Sequence, residues 1–144
     1  MELFDAVRSD TLTADSAADD KELQRVLQIL RAEPEETSDE RRKFSRVPYV
    51  VPATVELTDP LGHLHRLKMH SRDANQWGVG FVCQIPLPVG NSALIQLKGG
   101  DGVDVRATGC IVRCREVVPG WFEGALLFLH EQASLAAELL PGQP

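Results

Sequence analysis

Short runs of alternating hydrophobic and polar residues begin at residue 49 and continue to residue 129. They are rich in β-branched side chains and are separated by glycine, proline and aspartate, a pattern typical of strands joined by turns. The alternation predicts six strands, at residues 49–57, 63–74, 79–84, 92–98, 103–115 and 121–129. We therefore predict an all-β fold, a six-stranded antiparallel β-barrel, because closure leaves no edge strand exposed in a domain of this size.

A helical periodicity precedes the strands. Four apolar side chains recur at i, i+3, i+4 and i+7 and share one helical face: Leu23, Val26, Leu27 and Leu30. They predict an N-terminal helix over about residues 19–33, beginning at a capping box of Asp19 and Glu22 and ending before Pro34. Because a helix of this length is marginal alone in water, its apolar face should pack on the barrel or on a second copy of the chain. Recognition of a different protein is the alternative.

A second, short helix is predicted at the C-terminus, over residues 131–140. Leu135 and Leu139 would lie on one of its faces, and Pro141 and Gly142 would end it. We expect this helix to cover one mouth of the barrel.

At 144 residues, with 43% hydrophobic and 25% charged side chains, the chain has the size and composition of one globular domain with appendages. No apolar run approaches the roughly 18 residues of a membrane-spanning helix, and the first residues lack the basic start of a secretory signal. We therefore expect a cytoplasmic protein with no membrane span.

Cys83, Cys110 and Cys114 show no CxxC spacing, so we expect reduced thiols and no metal site.

The net charge of −6 is unevenly distributed along the chain. Residues 1–40 carry twelve acidic and four basic side chains, whereas the remaining residues carry nine acidic and eleven basic ones. We divide the chain into an acidic, partly flexible N-terminal arm, residues 1–40, and a barrel domain with its C-terminal helix, residues 41–144. A slightly basic body joined to an acidic arm favours binding of an anion by the body.

One candidate binding motif lies just before the first predicted strand. Arg42 and Arg46 stand four residues apart and are flanked by Arg41 and Lys43. Guanidinium groups pair with phosphate oxygens or with the O6 and N7 edge of guanine, and they stack on rings. The motif therefore indicates an anionic, planar ligand.

A second candidate motif, Asp73-Ala74-Asn75-Gln76-Trp77-Gly78, lies at the end of the second predicted strand. A carboxylate such as that of Asp73 can accept hydrogen bonds from the N1 and N2 donors of guanine. A glycine such as Gly78 lets the backbone approach a ligand closely. Taken alone, each motif is also compatible with a solvated basic run or an ordinary turn.

Together, in this order, the two motifs resemble the PilZ domain family, bacterial receptors for the second messenger cyclic di-GMP. That family is marked by RxxxR before the first strand and by (D/N)xSxxG after the second. Arg42-Lys43-Phe44-Ser45-Arg46 matches the first motif in full, and Asp73 and Gly78 match the second. Two further segments resemble the strands of the family: Val79-Gly80-Phe81 and Gly124-Ala125-Leu126-Leu127-Phe128. The resemblance covers about residues 40–130.

The resemblance implies a PilZ-like barrel that binds cyclic di-GMP. The ligand-binding residues it implies are Arg42, Arg46, Asp73, Asn75 and Gly78, with Arg41 as a further candidate. Asn75 departs from the family pattern, because the family has a serine there whose hydroxyl helps hold a guanine. The asparagine amide can replace that bond but is larger and can crowd the base. Trp77, beside the motif, could stack on a base or pack in the barrel.

The function implied is a regulatory receptor, in which cyclic di-GMP changes the arrangement of the N-terminal arm or of a protein partner. No Ser-His-Asp, HExxH, GxSxG or P-loop pattern occurs, so we expect neither an enzyme nor a cofactor. The small basic excess and few aromatic residues argue against nucleic-acid binding. The alternative is a degenerate PilZ-like protein that does not bind cyclic di-GMP and acts as a protein-interaction module. A homodimer is left open.

Overall fold

Seven antiparallel strands and one helix account for most of the residues that the structure describes. The computed structural model describes residues 17–33 and 46–140. The elements, in chain order, are α1 (Ala17–Arg31), β1 (Val47–Pro48), β2 (Pro52–Thr58), β3 (Leu64–Asn75), β4 (Gly78–Cys83), β5 (Ser92–Lys98), β6 (Asp104–Val118) and β7 (Trp121–Phe128). Two short 3₁₀ turns follow, Ala133–Leu135 and Ala137–Leu139. The flexibility predicted for part of the N-terminal arm, residues 1–40, concerns residues that lie largely outside the described ranges.

Six of the strands close a barrel. Hydrogen-bonded neighbours follow the order β3-β2-β5-β6-β7-β4, and β4 returns to pair with β3. The two-residue strand β1 adds to the outside of this circuit by pairing with the end of β3, Val47 opposite Ala74 and Pro48 opposite Asp73. The predicted six-stranded antiparallel barrel is therefore confirmed. Of the strands within the described residues, β1 alone was not predicted.

The alternation of side chains along the strands fills the barrel. In β2, for example, Ala53, Val55 and Leu57 are buried while their neighbours are more exposed. Strand β4 is buried along its whole length, because Val79 and Phe81 face the barrel core whereas Val82 faces the opposite side and is covered there. Successive side chains of a strand point to opposite faces, so something must pack on the outside of the barrel at Val82.

Helix α1 provides that cover. Its four predicted face residues, Leu23, Val26, Leu27 and Leu30, are all buried and form a cluster with Val82 and Trp121. The predicted helix is confirmed, and of the two surfaces expected for its apolar face, the chain's own barrel or a second copy, it packs on the barrel. The capping box is wrong: the helix begins at Ala17, so Asp19 lies inside it. Because the apolar face is occupied, recognition of a different protein through this face would require the helix to leave the barrel.

The helix predicted over residues 131–140 is wrong, because two 3₁₀ turns take its place. Ala136 has an extended backbone, with φ −58° and ψ 141°, which separates the segment into two 3₁₀ turns. Leu135 and Leu140 are buried in the barrel core, whereas Leu139 is 42% exposed. The Gly100 N–H donates a hydrogen bond to the Ser134 carbonyl, which fixes the segment to the β5–β6 connection. Tertiary contacts therefore replace the helix by a broken turn that aims two leucines inward. Within the described ranges, no helix has the length and apolar character needed to cross a membrane.

Candidate functional site

The segment before β2 is fixed to β3 at the place where the two predicted motifs meet. The Tyr49 N–H donates to the Arg72 carbonyl over 3.0 Å, and the Val51 N–H donates to Ser71 Oγ over 3.0 Å. The buried Ser71 hydroxyl donates in turn to the Tyr49 carbonyl. A β-bulge lies in β3 between Ser71 and Asp73. The sequence places a serine there, and its hydroxyl ties the incoming chain to the bulge.

Asp73 and Arg46 are brought into direct contact. Arg46 Nε donates to Asp73 Oδ1 over 2.8 Å, and the Gly80 N–H donates to the same oxygen over 3.1 Å. The Arg46 side chain is only 3% exposed. A Cβ atom at Gly80 would lie 2.3 Å from Asp73 Oδ1, closer than any real Cβ contact, so only glycine lets the carboxylate reach the backbone of β4. The last arginine of the first motif and the first residue of the second thus form one unit.

Asn75 holds the turn between β3 and β4. Its buried side-chain Oδ1 accepts hydrogen bonds from the Trp77 N–H over 2.7 Å and from the Gly78 N–H over 2.9 Å. This arrangement is an Asx turn, in which a side-chain oxygen replaces a backbone acceptor. The residue that departs from the family pattern therefore has a structural role in the turn, through the oxygen of its amide.

Four of the predicted site residues lie together around this turn: Arg46, Asp73, Asn75 and Gly78. Gly78 is buried, and a Cβ atom there would lie 3.0 Å from the Leu126 carbonyl oxygen, which makes it a close-packing position between β4 and β7. Trp77 is partly exposed at the rim of the turn. Arg41 and Arg42 lie outside the described residues, so their predicted part in the site stays a prediction.

A row of residues runs across four strands from this site. On β3, Asp73 pairs with Gly80 of β4, Gly80 pairs with Ala125 of β7, and Ala125 pairs with Arg113 of β6. We call these four residues the cross-strand row. Its two ends carry charged side chains and its two central residues are the smallest in proteins. Gly80 and Ala125 are buried, so other parts of the chain cover the middle of the row.

A buried carboxylate next to the row was missed by sequence analysis. Glu123 is 1% exposed and is surrounded by three guanidinium groups. Arg115 Nε donates to its Oε1 over 2.7 Å and Arg113 Nη2 to its Oε2 over 3.0 Å, while Arg72 Nη1 lies 3.6 Å from Oε2. Arg72 also donates from Nε to Asp73 Oδ2 over 3.2 Å. The only signal in the sequence was the i, i+2 spacing of Arg113 and Arg115 on one predicted strand.

The arginines keep Glu123 ionised. Burial raises the pKa of the Glu123 carboxyl, but the hydrogen bonds from Arg115 and Arg113 and the charge of Arg72 outweigh burial, and its pKa falls below its ordinary value. Arg115 also donates a hydrogen bond to Glu33, just beyond the end of α1. The hydrogen bonds to Glu33 and Glu123 raise the pKa of Arg115. A continuous chain of ion pairs therefore connects Arg46 and Asp73 to the helix.

The thiols carry no sign of a reactive site. Burial raises the pKa of the Cys83 thiol to about 12 and also raises the pKa of Cys114. Both groups are therefore protonated at neutral pH and poor nucleophiles. Cys83, Cys110 and Cys114 form no disulfide among residues 17–33 and 46–140.

Comparison with known protein families gives a match that spans the whole barrel. A family model described as the PilZ domain matches residues 40–139, a span that contains both motifs and all seven strands. No curated protein gave a significant match. The match covers more than half of the chain, and the chain therefore belongs to the PilZ domain family. PilZ domains are receptors and adaptors, and theirs is not a known enzyme family.

Proposed function

We propose that this PilZ-domain protein is a receptor for cyclic di-GMP and that the ligand binds around Arg46, Asp73, Asn75 and Gly78, with Arg42 and Arg41 added from the preceding segment. The observation that carries the proposal is the contact between Arg46 and Asp73, which joins the two motifs of the family in one place. No cofactor is required for this function, because recognition of the ligand needs only charge and hydrogen bonds.

The chemistry of the proposed contacts follows from the two side chains. Asp73 fixes the Arg46 guanidinium by accepting a hydrogen bond from its Nε. A guanidinium oriented in this way can donate hydrogen bonds to a phosphate oxygen or to O6 and N7 of guanine. Asp73 itself can accept from guanine N1 and N2 if it releases one of its present donors. Asn75 supports the site by fixing the turn that carries Gly78.

Binding at this place requires a rearrangement. The Arg46 side chain is nearly buried, Asn75 is buried, and other parts of the chain cover Gly80 and Ala125. A ligand must displace whatever covers them, and the apparent affinity falls by the fraction of molecules in which they are uncovered. The part of the chain that moves is then an element that a downstream partner would detect.

The N-terminal arm is suited to respond. A chain of ion pairs runs from Arg46 and Asp73 through Arg72, Glu123 and Arg115 to Glu33 just beyond the end of α1, so a ligand that draws Arg46 or Asp73 away from its present partners also disturbs the contact of the helix. The helix is held by apolar contacts with Val82 and Trp121 and by the hydrogen bond from Arg115 to Glu33. We propose that cyclic di-GMP weakens or shifts this docked arrangement and thereby changes the surface offered to a protein partner.

Calorimetric titration with cyclic di-GMP, with GTP as the control nucleotide, tests the proposal. We expect binding by the full chain, and loss of about tenfold or more in affinity for Arg42→Ala and for Arg46→Ala, because a hydrogen bond to a charged partner contributes about 1.5–3 kcal/mol. Arg106→Ala, an exposed arginine on β6, is the matched control and should bind normally. Unchanged affinity in both motif variants would remove the arginines from the site.

A second candidate function is a protein-interaction module that has lost the ligand. The observation that favours it is the commitment of Asn75 Oδ1 to the turn, which leaves the family's guanine-holding position occupied by a structural side chain. Absence of binding by the unaltered chain in the same titration would support this candidate over the receptor.

A further inference from the structure

We infer that Arg113 is a further ligand-binding residue, which contacts a phosphate of the ligand from the opposite end of the cross-strand row. The inference rests on the proposed function and adds to it a residue on β6 that neither motif contains. Arg113 stands 40 residues beyond Asp73 in the sequence, and only the barrel topology brings the two onto one surface.

The geometry of the row supports this role. Asp73 and Arg113 lie three strand spacings apart, about 14 Å between backbones, since neighbouring strands are separated by about 4.8 Å. The two residues between them, Gly80 and Ala125, contribute nothing larger than a methyl group. An extended ligand lying along this row would therefore meet Asp73 and Arg46 at one end and Arg113 at the other, with no bulky side chain of the row between them.

Hydrogen bonding provides a second observation. Arg113 uses Nη2 to bind Glu123, but its Nε is buried and has no hydrogen-bond partner among the described residues. A buried donor without an acceptor costs free energy, and an arrangement that supplies an acceptor is favoured. The Arg113 side chain is 31% exposed, so its guanidinium can turn toward an incoming phosphate while remaining close to Glu123.

Charge provides a third observation. Within the described residues, four guanidinium groups belong to the chain of ion pairs: Arg46, Arg72, Arg113 and Arg115. They meet three carboxylates: Asp73, Glu123 and Glu33. Three of these arginines, Arg72, Arg113 and Arg115, share the single carboxylate of Glu123, so Glu123 neutralises each of them only in part. An anionic phosphate can neutralise Arg113 further, whereas a neutral base does not.

The test compares two variants of Arg113 with a matched control by calorimetric titration with cyclic di-GMP. We expect Arg113→Gln to weaken binding about tenfold, because a charge-assisted bond is lost, while the glutamine amide can still donate to Glu123. The affinity of Arg113→Lys should lie between those of the unaltered chain and Arg113→Gln, because lysine keeps the positive charge but lacks the paired N–H donors of the guanidinium. Arg106→Gln removes an exposed arginine from the same strand and should leave affinity unchanged.

Salt dependence separates a phosphate contact from a structural role. If Arg113 binds phosphate, the difference in affinity between the unaltered chain and Arg113→Gln shrinks as salt is raised, whereas a defect in packing persists. Thermal unfolding of both variants checks that they fold. Equal affinities of the unaltered chain and Arg113→Gln, or a salt-independent difference, would overturn the inference and leave the proposed function intact. Failure of the unaltered chain to bind, with folding confirmed, would overturn both.

Discussion

Asp73 Oδ1 accepts hydrogen bonds from Arg46 Nε over 2.8 Å and from the Gly80 N–H over 3.1 Å, so one carboxylate oxygen ties the segment before β1 to β4. Arg46 and Asp73 lie 27 residues apart in the sequence. An aspartate that is fixed from two sides can hold an arginine at a set position, which is what a binding site requires of both residues.

Gly80→Ala should disrupt this unit. The added Cβ would lie 2.3 Å from Asp73 Oδ1, so the carboxylate must move and release Arg46. We expect a loss of about 1–3 kcal/mol in the free energy of unfolding and weaker binding of cyclic di-GMP. Gly109→Ala is the matched control: its Cβ would meet the Leu127 carbonyl oxygen at 2.3 Å, away from Asp73. It should destabilise the barrel at least as much, because backbone atoms must shift, but should bind cyclic di-GMP more tightly than Gly80→Ala. Equal affinities of the two variants would contradict the prediction.

Substitutions of Asn75 separate its structural role from a role in binding. Asn75→Ala removes the acceptor for the Trp77 and Gly78 N–H groups and should lower the free energy of unfolding by about 1–3 kcal/mol, measured by urea denaturation. Asn75→Ser should cost less, since a serine hydroxyl can also accept in a turn, and should bind cyclic di-GMP as well as or better than the unaltered chain. Abolished binding in Asn75→Ser would make the asparagine an adaptation of this site. Asn91→Ala, which removes an exposed bond, is the control.

Local patterns predicted most of the fold, because they reflect which face of each element is buried. The stripe from Leu23 to Leu30 predicted a helix with one buried face, and alternation predicted the strands of the barrel. The helix predicted over residues 131–140 was wrong. The sequence of this segment favours a helix, whereas its contacts with Gly100 and with the barrel core require an extended backbone at Ala136. Local propensity cannot report a contact made with residues more than thirty positions away.

The motifs identified Arg46 and Asp73, but not the buried Glu123. Its position among Arg72, Arg113 and Arg115 depends on the register of β6 against β7, which shifts between Ile111 and Arg113. Alternation fixes which face a residue occupies and says little about which residue of the neighbouring strand lies opposite, particularly beside a bulge.

The pH dependence of stability should report on Glu123. In the folded protein, the pKa of the Glu123 carboxyl lies below its ordinary value of 4.5, so near that pH the unfolded chain binds more protons than the folded one. The stability that ionised Glu123 contributes is therefore lost as pH falls below about 4.5. At pH 7, Glu123→Gln should lower the free energy of unfolding by about 1.5–3 kcal/mol, because hydrogen bonds between charged groups are weakened. Between pH 5 and pH 3 the difference should narrow. Urea denaturation across this range, with the exposed Glu131→Gln as control, checks the prediction. A constant difference would show that folding does not lower the pKa of Glu123.

Docking of α1 can be followed through Trp121. This indole is 6% exposed beneath the helix, whereas Trp77 is 38% exposed, so a Trp77→Phe background isolates its fluorescence. Leu27→Ala removes a buried contact typically worth about 2–5 kcal/mol and should increase the population with the helix undocked, shifting Trp121 emission to the red. Gln28→Ala, on the exposed side of the helix, should leave emission unchanged. An unshifted spectrum in a folded Leu27→Ala protein would argue that α1 does not need this contact.

The acidic residues between α1 and the arginines should compete with the ligand. Glu35, Glu36, Asp39 and Glu40 precede Arg41 and Arg42 by only a few residues in the sequence, so the tether lets these carboxylates come within about one Debye length of the arginines, roughly 10 Å at 0.1 M salt. Single exposed pairs contribute only about 0–1 kcal/mol, but several acting together can oppose a phosphate. Deleting the arm would also remove α1 and expose Val82 and Trp121, so neutralisation of charge is the cleaner test.

Replacing these four carboxylates by the corresponding amides should therefore tighten binding of cyclic di-GMP a few-fold at low salt, with the gain shrinking as salt screens the competing charges. The matched control neutralises Glu2, Asp5, Asp10 and Asp15, which changes the net charge equally but lies far in sequence from Arg42. Equal tightening in both variants would indicate a general effect of net charge. No tightening in either at low ionic strength would exclude the linker as a competitor for the arginines.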